Sequence, residues 1–281
     1  AKVISIFLFL FFITAPVALS EEKIHWLVTH WPPWMILEGE DAGKGRFNHL
    51  LKTIKKNMPQ YTHVDVNMNW ARFWHEMDNQ TNFCNIFAFK SGKREKVVYF
   101  SKPHTFVLPN AIIMRKSTIE KLGNPKRYSI VALLKDRRFE GVAEKNRSFS
   151  ASFDLILKQY EPGSNLLRVG ASAASIVGMV ASGRVDYTIE YPIVAAFYGK
   201  KWSRKVDALS SIPIIEMDTY ANVHMACTKN EWGRKIIDQW NAALDEIKPG
   251  REYRRLTEMG HTDKGELEII RQNYNAFIQS D

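Results

Sequence analysis

Strand-like and helix-like segments alternate along almost the whole chain, and that alternation limits the fold more than any other feature. Ile24 to Thr29 is a first strand, after which Phe47, Leu50, Leu51 and Ile54 recur at helical spacing until Pro59 stops the helix. Val64, Val66 and Met68 alternate as a strand, Trp70 to Met77 reads as a short helix, and Cys84 to Phe89 as a buried strand. Val97 to Lys116 is extended, punctuated by Pro103 and Pro109, and ends in the strand Ala111 to Met114. The pattern then starts again. Strands at Gly141–Ala143, Leu166–Val169 and Val185–Ile189 are separated by helices at Phe149–Tyr160 and Ala173–Ala181, with another helix beginning at Pro192. Val223 to Thr228 is the last strand, and Trp232 to Ile247 is a helix with Ile236, Ile237, Trp240 and Leu244 on one side. No tandem repeat or low-complexity linker interrupts the series. The expectation is α/β layers with largely parallel sheets.

The first twenty residues point to export. Lys2 precedes an apolar run from Val3 to Ile13, Pro16 breaks it, and Ala18-Leu19-Ser20 supplies the small residues of a cleavage site. As a membrane anchor the run is short of the roughly 20 residues a span needs. Residues 1–20 are therefore expected to be a cleaved signal peptide, with the mature chain starting near Glu21 in the periplasm. A chain of 281 residues, 45% hydrophobic and 25% charged, can build two cored lobes. The formal charge is +9, but the basic residues are spread, as in Lys52-Lys55-Lys56, Lys93-Arg94-Lys96 and Arg251-Arg254-Arg255. Scattered clusters on an exported chain argue against a nucleic-acid partner. The two cysteines, Cys84 and Cys227, are in an oxidising space either one disulfide or two buried thiols.

The densest local signal runs from Lys90 through Ser91, Arg94 and the hydrophobic stretch Val97-Val98-Tyr99 to Phe100-Ser101-Lys102-Pro103. Taken alone, Arg94 is a surface arginine among lysines. The segment resembles, however, the Thr-x-x-Arg, hydrophobic strand and Phe-Ser-x-Pro series of type II periplasmic solute-binding proteins, the family 3 or amino-acid-binding branch. The likeness covers most of the mature chain. Trp31-Pro32-Pro33-Trp34 with Gly43 and Gly45 is similar to the family's aromatic loop after the first strand, and Ala111 to Lys116 to its first crossing strand. Gly183-Arg184-Val185-Asp186-Tyr187 is close to Gly-Arg-x-Asp-Ala, and His224 to Lys229 resembles the returning strand.

The resemblance implies a two-lobed fold with two crossing hinge strands: residues 21–112 plus 221–281 in a discontinuous first lobe, and 113–220 in the second. It places the strands of Cys84 and Cys227 in one lobe, where a disulfide is reasonable. It also implies that Arg94 grips a ligand carboxylate, since a planar guanidinium offers two parallel donors. Ser91 fits a hydroxyl position beside it, whereas Phe89 stands where the family has Ser or Thr. The family's aspartate for a ligand amino group has no direct counterpart: Glu190 takes that role if one residue is deleted, or packs elsewhere, and Tyr191 follows it. The loop Glu144 to Ser150 precedes a helix, so Ser148 and Phe149 face the ligand or belong to an ordinary N-cap. Trp31, Trp34, Phe89, Tyr187 and Tyr191 would suit a flat or partly apolar ligand, or stack on a cation, although each taken singly is more often core than pocket.

Gly-x-Ser-x-Gly, phosphate-loop and His-Glu-x-x-His motifs are all missing, and the eight histidines are dispersed. The reading is thus a monomeric binding protein without cofactor or metal, serving an ABC transporter permease or a membrane sensor. The alternative is a periplasmic dehydratase on the same scaffold, with Glu190 or Glu144 as acid. A structural adhesion module is the third reading, and it would lack a cleft.

Overall fold

A computed structural model describes residues 22–68, 70–145, 147, 149–200, 208–261 and 264–279. The expected signal peptide and Ser148 lie outside the described residues. In chain order the elements are β1 (Lys23–Val28), α1 (Arg46–Asn57), β2 (Thr62–Asn67), α2 (Trp70–Asp78), β3 (Phe83–Ala88), β4 (Val98–Val107) and β5 (Ala111–Arg115). There follow α3 (Lys116–Lys121), α4 (Ile130–Lys135), β6 (Gly141–Glu144), α5 (Ala151–Tyr160), β7 (Leu166–Val169), α6 (Ala173–Ala181) and β8 (Tyr187–Glu190). The chain ends with α7 (Pro192–Gly199), β9 (Leu209–Pro213), β10 (Ala221–Thr228), α8 (Glu231–Ile247), α9 (Arg251–Glu258) and α10 (Lys264–Ile278).

Small polar residues set several helix starts. Ser129, Ser150 and Ser172 accept from the backbone N–H of Ala132, Phe153 and Ser175, and Asn230 does the same for Gly233. Pro192 opens α7, where its missing N–H leaves no bond unmade. The predicted helical stripe of α1 is buried at Phe47, Leu50, Leu51 and Ile54. Ile236, Ile237, Trp240 and Leu244 of α8 are buried as well. A fully buried side chain of this size contributes about 1.5–3 kcal/mol.

The strands form two five-stranded sheets, ordered β2-β1-β3-β10-β4 and β7-β6-β8-β5-β9. Each is mixed rather than largely parallel. β1 pairs in parallel with β2 and β3, but β10 runs antiparallel to both β3 and β4. Likewise β6 is parallel to β7 and β8, while β5 is antiparallel to β8 and β9. The antiparallel members are the strands entering or leaving each sheet as the chain passes between the two halves. It passes first between β4 and β5, through Leu108-Pro109-Asn110, and returns between β9 and β10. The expected limit at 112/113 falls inside β5, whose residues all pair within the second sheet.

Each sheet has its own core. Trp26, Phe47, Ile54, Met225 and Trp240 lie in the first; Ile112, Met114, Leu133, Phe153 and Tyr187 lie in the second. The architecture is a two-lobed α/β fold. Cys84 and Cys227 are direct partners in the β3–β10 register and are disulfide-bonded, joining residues 143 positions apart within the first sheet. Among the described residues no helix is long and apolar enough to cross a membrane.

Candidate interlobe site

The loop after β1 is a compact knot. Trp31 N–H donates to Met35 O at 2.8 Å, and the N–H groups of Trp34 and Met35 return to Trp31 O. The knot is fastened to α1 through Phe47 N–H to Trp34 O at 2.6 Å and through Asn48, whose side-chain oxygen accepts from Ile36 and Gly45. Gly45 approaches Trp34 O so closely that a β-carbon would collide with it. The result is an aromatic cluster. Trp34 stacks on Phe47 at 5.2 Å and is almost fully buried, whereas Trp31 is partly exposed and meets Phe87 edge-on at 4.9 Å. Phe87 also contacts Phe89 at 5.2 Å. A small cavity under the loop is lined by Thr29, Trp31, Asn85 and Phe87 among others.

Tyr191, at the start of α7, meets this cluster from the other lobe. Its ring stands edge-on to Trp31 at 6.2 Å and to Trp34 at 5.7 Å. Burial pushes its hydroxyl up to about 12, so it is a neutral donor or acceptor. Trp31, Trp34 and Tyr191 thus come together across the lobes. Trp34 does so as a core ring, leaving Trp31 as the indole with exposed surface.

Arg94 lies at the start of a short 3₁₀ turn, Arg94–Lys96. One guanidinium nitrogen donates to Phe89 O at 2.9 Å, and the group sits 4.7 Å from the Trp74 ring centroid. No carboxylate pairs with it among the described residues. Burial lowers its pKa, the mark of a cation whose charge is not compensated nearby. Ser91 is exposed, and its hydroxyl is only a long 3.5 Å from Arg94 N–H. Phe89 contributes its carbonyl to Arg94 and its partly buried ring to the aromatic cluster.

Glu190 and Phe149 are elsewhere in the network. Glu190, at the end of β8, is buried and forms a two-pronged ion pair with Arg147. One of its oxygens also accepts from Tyr191 N–H at 2.7 Å. Held by Arg147 on both oxygens and by Tyr191 N–H on one, the carboxylate has no free edge for a substrate, which counts against Glu190 as a dehydratase acid. Phe149 is packed into the second core against Phe153, and its N–H donates to Asp154. Arg147 and Arg168 cover its ring at 5.1 and 5.5 Å.

Sequence reasoning missed Phe87, Trp74, Asn110 and the role of Arg147. Phe87 lies on β3 beside the expected Phe89, and strand alternation flags both. Arg147 carried no signal, because its partners Glu190 and Asn110 are 43 and 37 residues away. Among the described residues no cluster of His, Cys, Asp or Glu could hold a metal ion.

No family model and no curated protein matches the chain. Solved structures do. A probable amino-acid ABC transporter extracellular-binding protein of Bacillus subtilis aligns with a TM-score of 0.66 at 19% identity, covering 85% of this chain and 98% of that one. A Salmonella typhimurium periplasmic binding protein described as highly specific for arginine gives 0.58 at 17%, covering 84% and 98%. A histidine kinase sensor domain similar to periplasmic binding proteins gives 0.60 at 13%, covering 84% and 93%. At such identities the likeness establishes the fold, that of periplasmic binding proteins, over nearly the full length of its neighbours.

Proposed function

We propose that the chain is an exported solute-binding protein that captures a small carboxylate-bearing ligand between its lobes and hands it, or its signal, to a membrane partner. The observation that carries this is Arg94: a half-buried guanidinium, oriented by the Phe89 carbonyl and the Trp74 face, with no acidic partner among the described residues. A cation kept in that setting offers its remaining donors to an anion at little reorganisation. Trp31, Phe87 and Phe89 supply apolar surface beside it, and Ser91 stands within reach of the same turn. Two lobes joined by the crossings at 108–110 and 214–220 would close on the ligand by a hinge motion. The structural neighbours include binding proteins for amino acids, which agrees with that class of cargo.

A binding role is preferred over the dehydratase because Glu190 is occupied by Arg147. Native mass spectrometry of protein purified without denaturation tests the reading. The expected result is a co-purifying organic anion released on unfolding. Turnover of a prephenate-like acid that Glu190→Gln abolishes would overturn it in favour of an enzyme.

A further inference from the structure

The second lobe answers its buried charge in a way that bears on ligand choice. Glu190 is 3% exposed and lies opposite Ala111, at the first crossing between the lobes. Its counterion, Arg147, reaches over from the loop between β6 and α5. Both guanidinium nitrogens of the pair meet carboxylate oxygens, one at 2.5 Å, and the same nitrogen donates to Asn110 Oδ1 at 2.9 Å. Aromatic rings flank the group, Phe149 at 5.1 Å and Tyr191 at 5.7 Å. Burial opposes the Arg147 charge, but Glu190, with Tyr191 and Glu144 adding to it, more than offsets this and raises its pKa. The backbone carbonyls of Glu144 and Arg147 are held in turn by Arg168, itself paired with Glu161. A bidentate carboxylate, an amide oxygen and two aromatic rings are the partners a site for a free guanidinium needs.

We infer that Arg147 is the resident occupant of a guanidinium-binding subsite and thereby a specificity-determining residue. While it is in place, Glu190 is closed to the cationic group of a ligand, and arginine-like solutes are refused. The bearing on ligand choice rests on the interlobe site proposed above; the chemistry of the subsite does not. Removing the Arg147 side chain leaves Glu190 buried and unpaired, with Glu144 close by, so the hole should take a small guanidinium from solution.

Arg147→Ala is the test, read by melting temperature with methylguanidinium chloride and, separately, L-arginine, against equal concentrations of sodium chloride. The expected result is a lowered melting temperature, a saturable recovery of several degrees with either guanidinium, and a shift below about one degree in the wild type. Arg147→Ala/Glu190→Gln should lose the recovery. Saturable stabilisation of the wild type by L-arginine overturns the inference, as does equal recovery in the double variant. So does a folded Arg147→Ala that neither compound stabilises. Should Arg147→Ala not fold alone, refolding only with methylguanidinium supports the inference and failure to refold with it counts against it. Recovery in an Arg94→Ala background separates the two readings, because it leaves the subsite standing even if Arg94 holds no anion.

Discussion

A buried guanidinium or imidazole must be paired, hydrogen-bonded or neutral, and this chain uses each solution. Arg147 is paired. Arg46 is hydrogen-bonded only, donating to Thr105 Oγ1 at 2.5 Å and Phe106 O at 2.7 Å, and burial lowers its pKa to about 9. His104 is neutral: burial pushes it down to about 3, while Nε2 meets Ile86 O at 2.8 Å. Its folded pKa lies below the ordinary value of 6.5, so between those pH values the unfolded chain binds more protons. The His104 contribution is fully present above about pH 6.5 and is lost as the pH falls toward 3. Burial shifts His224 and His63 in the same direction. The unfolding free energy from urea titration should therefore decline through that window, by an amount on the order of a few kcal/mol, and His104→Gln should flatten the decline. A stability independent of pH from 6.5 to 4 would contradict the assignment. None of this was legible in the sequence, where eight dispersed histidines give no sign of which are buried.

At the scale of elements, the sequence revealed most where periodicity is strong. The stripes of α1 and α8 and the buried run of β3 appear as expected. β9 escaped notice because Leu209-Ser210-Ser211-Ile212-Pro213 is short and only Ile212 is buried. The extended stretch read from Val97 to Lys116 holds the two strands β4 and β5, between which Leu108-Pro109-Asn110 carries the chain to the other sheet. Largely parallel sheets were expected from alternation alone, which cannot report strands that cross between lobes. Two predictions belong here. Gly233 in α8 packs so tightly that a β-carbon would collide with Thr228 O. Gly233→Ala should therefore destabilise by about 1–3 kcal/mol through overpacking, although Gly to Ala within a helix is otherwise stabilising. Thermal or urea unfolding reads the sign. The Cys84–Cys227 link closes a loop of 143 residues, so Cys84→Ser/Cys227→Ser should lose about 2–5 kcal/mol. An unchanged urea midpoint would show that β10 holds its place in the first sheet without the bond.

For the whole molecule, the resemblance carried by Arg94, the Phe100–Pro103 series and the tryptophan loop led to two lobes, and the sheets and structural neighbours agree. The candidate site was only half visible. Arg94 and Trp31 could be named from local motifs, but the Arg147–Glu190–Asn110 junction brings together three segments separated by 37 and 43 residues. Contact between lobes passes through Tyr191 on Trp31 and Trp34. Tyr191→Ala should loosen that seam, weakening ligand binding more than it lowers the stability of either lobe; calorimetric titration beside thermal unfolding separates the effects. The most direct measurement is the titration of wild type and Arg94→Ala with whichever anion the native protein carries. Loss of a charge-assisted contact predicts a dissociation constant larger by about 10- to 150-fold in the variant, some 1.5–3 kcal/mol. An equal constant in the two proteins would contradict the account.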